Sequence, residues 1–96
     1  MAEESGAVSI RRLPDGPPKS GLHRGLTDNL LTIELAAGED AQGIPPGSLV
    51  EVDCERMLYL GQVYSVDRAA VLIGVEHAVD RRALSAIRAA WTPERN

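Results

Sequence analysis

Arginine is the residue type in the first quarter of this chain that is best suited to holding an anionic ligand. Arg11, Arg12 and Arg24, together with Lys19, form the only basic cluster with room to meet one. A guanidinium can donate two parallel hydrogen bonds to a phosphate or a carboxylate, so a pair of arginines could grip such a group. The alternative is a solvated arm whose charge balances the acidic start, and exposed charges are more often of that kind.

Four carboxylates in the second half of the chain could in principle act as general acid and base. Glu51, Asp53, Glu55 and Glu76 all lie in or beside stretches that alternate between apolar and polar residues. Paired carboxylates can move protons when they face each other in a pocket. Regular alternation instead predicts side chains that point outward into solvent. A small enzyme would require these groups, or the thiol of Cys54, to converge.

Cys54 is the only cysteine, and it has two histidines as conceivable metal-binding companions. His77 is 23 residues away, and His23 is more distant still. A structural zinc site usually takes four ligands in closely spaced pairs, which this chain lacks, so we expect no metal site and no cofactor. Cys54 is predicted to be a small buried side chain whose thiol stays protonated.

Length and charge narrow the classes of protein further. The 96 residues, of which 44% are hydrophobic and none is Phe, suffice for one domain with a thin aliphatic core. A net charge of −4 argues against binding a nucleic-acid polymer through its phosphates. A single cysteine, a start without signal-peptide features and the lack of a long apolar run predict a cytoplasmic protein that does not enter a membrane.

The elements that must position these residues are mainly strands. A period of two, typical of a sheet with one buried face, recurs along the chain. It predicts strands at residues 7–13, 29–35, 48–54, 57–66 and 69–77. Within the fourth of these, Val63 is out of phase with Leu58 and Leu60. The break falls at Gly61, which predicts a bulge or a sharp bend there.

The two ends of the chain have sequence patterns that differ from those of the middle part. Residues 1–21 are interpreted as a flexible N-terminal arm and a Pro/Gly-rich loop, in which 7–13 can form a short strand. Residues 22–96 are the predicted barrel domain, and it closes with a helix at 80–91. Asp80 is the expected cap of that helix. Its apolar stripe consists of Val79, Ala83, Leu84, Ile87 and Trp91.

Three short patterns in the second half resemble the C-terminal part of a PilZ domain. They are Gly47-Ser48-Leu49-Val50, Leu60-Gly61-Gln62-Val63 and the Ile-Gly-Val-Glu run from Ile73 to Glu76, followed by the helix. The resemblance covers roughly half of the chain. It implies a small antiparallel β-barrel of about six strands with one C-terminal α-helix, in a family that includes receptors for cyclic di-GMP.

The ligand motifs of that family are not reproduced. PilZ receptors carry an Arg-x-x-x-Arg segment ahead of the barrel, and no two arginines in the N-terminal half of this chain have that spacing. The second family motif, Asp/Asn-x-Ser-x-x-Gly, would fall on residues 25–30. Thr27 could replace the Ser hydroxyl, but Gly25 replaces the acid or amide and Leu30 replaces the Gly. The resemblance therefore implies a member whose nucleotide site is degenerate.

We therefore predict a non-catalytic, PilZ-like binding or regulatory module that works through protein contacts. A homodimer is an open alternative for its partner, because unpaired strand edges tend to associate. The competing prediction is a cyclic-di-GMP receptor that uses Arg11, Arg12, Arg24 and Thr27 in an irregular arrangement.

Overall fold

The computed structural model of the chain describes residues 6–83. Its regular elements are six β-strands, and a single helical turn at residues 81–83 follows them. The strands are β1 (Ala7–Arg12), β2 (Lys19–Thr27), β3 (Leu30–Leu35), β4 (Leu49–Asp53), β5 (Met57–Asp67) and β6 (Ala70–Asp80).

The six strands close into an antiparallel barrel in the order β1-β2-β3-β6-β5-β4. Closure is made by β1 and β4, which pair from Ser9↔Asp53 to Arg12↔Val50. The predicted mainly β, six-stranded barrel is thus confirmed. Because each described strand has a neighbour on both sides, open edges are limited to the ends of β2 and β6 that extend past their ladders with β1 and β3, and the homodimer stays a prediction.

The core is aliphatic and lies inside the barrel. Alternate residues of the strands supply it, as the period of two predicts. Its buried members are Val8, Ile10, Leu31, Ile33, Leu35, Ile44, Val50, Val52, Tyr59, Val63, Val71 and Ile73. Ile44 is the exception to the pattern, since it comes from the connection between β3 and β4 and is only 1% exposed. That connection therefore caps the core as well as linking two strands.

The N-terminal part of the chain differs from the predicted arm. The strand expected at 7–13 is present as β1, but β1 and β2 are both members of the closed barrel, and β2 begins at Lys19 inside the stretch interpreted as a loop. Gly21, which suggested a loop, lies where β3 approaches closely. A Cβ atom there would be 2.9 Å from the carbonyl oxygen of Glu34. The glycine allows the two strands to pack together.

The hairpin between β2 and β3 turns at Asp28 and Asn29. Both residues have positive φ, 53° and 66°, as a two-residue type I′ turn requires. The carbonyl oxygen of Asn29 also accepts a hydrogen bond of 2.8 Å from the backbone N–H of Val75. This bond ties the turn to β6.

The irregularity predicted at Gly61 is present as a register shift between Leu60 and Gly61. Its form differs from the expectation. Leu60 pairs with His77 and Gly61 pairs with Val75, so the extra residue is Glu76 on β6. The inward face of β5 carries Tyr59 and Val63 without interruption.

The C-terminal part of β6 extends further than predicted. Val79, assigned from the sequence to the helix stripe, belongs to the strand and pairs with Leu58. Asp80 accepts a 2.8 Å hydrogen bond from the N–H of Arg82, the contact expected of a helix cap. The remainder of the helix predicted at 80–91, with Trp91, lies outside the described residues. Within residues 6–83, no helix has the length and apolarity needed to cross a membrane.

Candidate binding surfaces

The arginines predicted to hold an anion do not converge. Arg11 lies at the end of β1, where its guanidinium pairs with Glu51 at 2.9 Å and donates to the carbonyl oxygen of Pro14. Arg24 lies on β2 beyond the opposite end of the β1–β2 ladder and pairs with Glu34 at 2.7 Å. Roughly 20 Å of strand separates the two positions. Each of these cations already has an anionic partner on a neighbouring strand.

The other two predicted ligand residues are separate as well. Arg12 is exposed and follows Arg11 directly, so the two side chains leave the strand on opposite faces. Within residues 6–83, no hydrogen bond or ion pair engages the guanidinium of Arg12. Thr27 is exposed at the far end of β2, beside the Asp28–Asn29 turn. The structure therefore distributes the four residues over two ends of the barrel.

Two of the four carboxylates predicted to be outward form ion pairs. Glu51 bonds to Arg11, and Asp53 forms an ion pair with Arg81. Neither of them is fully buried. Burial, with a smaller contribution from the charge of Asp53, raises the pKa of the Cys54 thiol to about 11. The thiol is thus protonated at neutral pH.

A cavity of about 430 Å³ lies at the end of the barrel that carries the β4–β5 hairpin. Cys54 and His23, which are far apart in sequence, both line it, together with Met57 and Tyr59. Among residues 6–83, no three side chains of His, Cys, Asp or Glu are placed so that they could hold a metal ion together. The cavity is also bounded by Gly6, the first described residue.

A further feature lies on the outside of the barrel, where outward residues of four strands form a row with a leucine at each end. Strand pairing aligns Leu30 of β3 with Gly74 of β6, Gly74 with Gln62 of β5, and Gln62 with Leu49 of β4. Partners in an antiparallel ladder point to the same face, so these four residues form one row across the outer surface, about 14 Å wide.

Two further residues with large side chains lie beside this row. Leu72 precedes Gly74 by two residues on β6 and therefore lies on the same face. Tyr64 lies on β5 at the second register shift and is 69% exposed, while Leu49 is 53% exposed. We refer to Leu30, Leu49, Tyr64, Leu72 and Gly74, with Gln62 between them, as the Gly74 surface.

Gly74 forms the floor of this surface, and the fold does not require a glycine there. The nearest atom to a Cβ built on Gly74 is the carbonyl oxygen of Gln62 at 3.9 Å, an ordinary contact. Its φ is not positive, in contrast to that of Gly47. Glycine weakens the interior of a strand, so stability does not account for it at this position. Its missing side chain leaves a shallow depression flanked by Leu30 and Leu72.

No family model, curated protein or solved structure matches this chain. The surfaces themselves are therefore the basis for a functional assignment.

Three acidic residues border the Gly74 surface on two of its sides. Asp28 and Glu76 lie on one side of it, brought together by the hydrogen bond between Asn29 and Val75. Asp67 lies at the other side, at the end of β5. All three acids are exposed, and no ion pair engages them within residues 6–83. Arg68 follows Asp67 in the β5–β6 turn.

The Gly74 surface was not among the predicted sites, although its residues carried a signal. Leu30, Leu49 and Leu72 all occupy the outward phase of strands whose inward phase is already apolar. A large aliphatic residue on the solvent side of three different strands is the signal that could have indicated a contact surface. Their proximity depends on cross-strand register, which a single sequence does not specify.

Proposed function

We propose that this chain is a non-catalytic binding module, PilZ-like in form, that acts in the cytoplasm through protein contacts at the Gly74 surface. The observation that carries the proposal is the outward row of Leu30, Gly74, Gln62 and Leu49 with Tyr64 beside it. Exposed apolar residues gathered on one face and bordered by polar residues are typical of protein interaction sites. Tyrosine is among the residue types that most often dominate binding energy at such sites.

The barrel supports this role by presenting the surface rigidly. The inward neighbours of the row, Ile73 and Val50, are fully buried, so the strand backbone under the surface is held by the core. A preformed surface loses little conformational entropy when a partner binds. A rigid strand backbone under the exposed residues supports a role as a platform for a partner.

Selection of peptides from a random display library against the full-length chain tests the proposal. Selected peptides are expected to lose at least about tenfold in affinity for the double variant Leu49→Ser, Tyr64→Ser, because removal of two apolar anchors, each contributing about 1 kcal/mol or more, costs at least about 2 kcal/mol. Leu22→Ser is the matched control, since Leu22 is exposed on β2 outside the surface. Peptides that bind the double variant as tightly as the original chain would overturn the proposal.

A second candidate function is the cyclic-di-GMP receptor, and one observation favours it. The guanidinium of Arg12 is exposed and has no partner within residues 6–83. Arg11 and Arg24, in contrast, would have to leave Glu51 and Glu34 before they could reach a common ligand. Titration calorimetry with cyclic di-GMP separates the two functions. Micromolar binding that disappears in an Arg11→Ala, Arg12→Ala variant would establish the receptor, whereas no heat of binding is the expected result.

A further inference from the structure

We infer that the partner at the Gly74 surface is a different protein that presents a basic segment with a large apolar side chain seated over Gly74. This inference rests on the proposed function and adds the chemistry of the partner. It follows from the missing side chain at Gly74, the floor of the surface, and from the acidic residues Asp28, Glu76 and Asp67, which we call the rim.

The floor determines where the apolar anchor goes. Leu30 and Leu72 flank Gly74 on β3 and β6, and Gln62 lies beside it on β5. A Cβ at position 74 would have one neighbour within 4 Å, the carbonyl oxygen of Gln62 at 3.9 Å. A partner side chain can therefore approach the β6 backbone more closely here than at the neighbouring outward positions. Burial of a Leu, Met or Phe side chain in such a depression is favourable by about 1.5–3 kcal/mol.

The rim determines the charge of the partner. Asp28, Glu76 and Asp67 are exposed and without ion pairs among the described residues, whereas the nearest basic side chain on β2, that of Arg24, is bound to Glu34. Arg68 directly follows Asp67 in the β5–β6 turn and offsets its charge, so the uncompensated charges of the rim are those of Asp28 and Glu76. Asp28 and Glu76 therefore leave a local negative potential next to Leu30. Complementary charge across an interface speeds encounter and excludes partners of like charge.

The same rim argues against a second copy of this chain. A symmetric dimer through the Gly74 surface would place two acidic rims near each other in a chain whose net charge is −4. Like charges across an interface are costly. Each described strand of the closed barrel also has a neighbour on both sides, so no strand within residues 6–83 offers a fully open edge for backbone pairing with a second copy.

The experiment extends the peptide selection with charge variants of the full-length chain. A synthetic copy of the most frequent selected peptide is compared with a version in which every Lys and Arg is replaced by Gln. The variant Asp28→Asn, Glu76→Gln removes two charges from the rim. The control Asp15→Asn, Glu55→Gln removes two exposed charges elsewhere. A Gly74→Val variant, verified as folded by its melting temperature, fills the depression.

The expected result is a peptide of net positive charge that binds the rim variant at least about threefold more weakly at about 20 mM salt, with the difference shrinking at about 300 mM. The control variant should bind like the original chain, and Gly74→Val should not bind measurably.

Two results would overturn the inference while leaving the proposed function intact. One is binding that depends on Tyr64 but is equal for the rim variant, its control and the Gln-substituted peptide. The other is self-association of the chain, detected by light scattering and abolished by Tyr64→Ser. Binding that is independent of both Tyr64 and Leu49 would overturn the proposed function itself.

Discussion

A methyl group built on Gly61 would overlap the carbonyl oxygen of Gly74 on the neighbouring strand, whereas one built on Gly74 would meet no atom closer than 3.9 Å. The two glycines lie at almost the same level of the β5–β6 pair, yet only one of them is required by the fold. Gly61 allows the strands to approach each other at the register shift. Gly74 leaves the outer surface open.

This difference predicts opposite effects of alanine at the two positions. Gly61→Ala should lower the free energy of unfolding by about 1–3 kcal/mol, because the new side chain is forced against backbone. Gly74→Ala should leave it unchanged or raise it by about 0.5–1 kcal/mol, because alanine loses less conformational entropy on folding. Urea denaturation followed by circular dichroism measures both. Equal losses for the two variants would contradict the structure.

A second prediction concerns the β5–β6 turn. Arg68 has a φ of 59°, a conformation in which a residue with a Cβ atom is strained by about 1 kcal/mol. Arg68→Gly should therefore increase stability by several tenths of a kcal/mol or more, despite the greater freedom of glycine in the unfolded chain. Arg56→Gly is the matched control, since Arg56 lies in the β4–β5 connection without positive φ. It should be neutral or destabilising in the same thermal melt, and the reverse order would refute the assignment of strain.

A third prediction concerns the ion pair that engages Arg11. Arg11 and Glu51 are 37% and 21% exposed, and Arg24 and Glu34 are more exposed at 55% and 48%. Double-mutant cycles in which each Arg is replaced by Met and each Glu by Gln should give a coupling free energy of about 0.2–1 kcal/mol for the first pair and less for the second. Both couplings should fall in about 1 M salt. A larger, salt-independent coupling at Arg24 would show that exposure does not control these pairs.

A fourth prediction concerns the thiol of Cys54, whose pKa of about 11 lies above the ordinary value of 9.0. The thiolate fraction at pH 8 is then about a hundredfold lower than for a free thiol, and the greater nucleophilicity of a more basic thiolate recovers about tenfold. Alkylation by iodoacetamide at pH 8 should thus be about tenfold slower in the folded chain than in urea, before any effect of access.

The pH dependence of this reaction has a definite direction. The alkylation rate of the folded chain should keep rising up to about pH 11, whereas in urea it should level off near pH 9. Because burial favours the protonated thiol, the folded state loses stability relative to the unfolded state as the pH rises from about 9 to 11. Asp53→Asn should lower the midpoint of the folded profile. A folded midpoint at or below 9 would contradict the burial of the thiol.

Several parts of the fold follow from local sequence pattern. The alternation of Leu31, Ile33 and Leu35, and of Val50 and Val52, predicts both the strands and the face that is buried. A period of two is a property of one strand and needs no information about its neighbours. The same is true of Asp80, whose side chain caps the residues that follow it.

The assignment of β2 as a strand and of the buried face of β5 depended on residues that are neighbours only in space. β2 has only one buried residue, Gly21, so its nine residues lack the apolar alternation that marks a strand. β5 has apolar residues in both phases, and burial inside the barrel selects Tyr59 and Val63 over Leu58 and Leu60. Neither assignment could be made from a single segment.

The candidate sites divide in the same way. The sequence alone determined that Arg11, Arg12 and Arg24 are cations near one end of the chain and that the second half consists of amphipathic strands, because residue type and alternation are local properties. Only the tertiary structure decided that Arg11 and Arg24 lie toward opposite ends of the β1–β2 pair, each bound to its own glutamate, and that Leu30, Gly74, Gln62 and Leu49 form one row. The reason is that the register of each strand against its neighbour places residues from distant parts of the chain side by side.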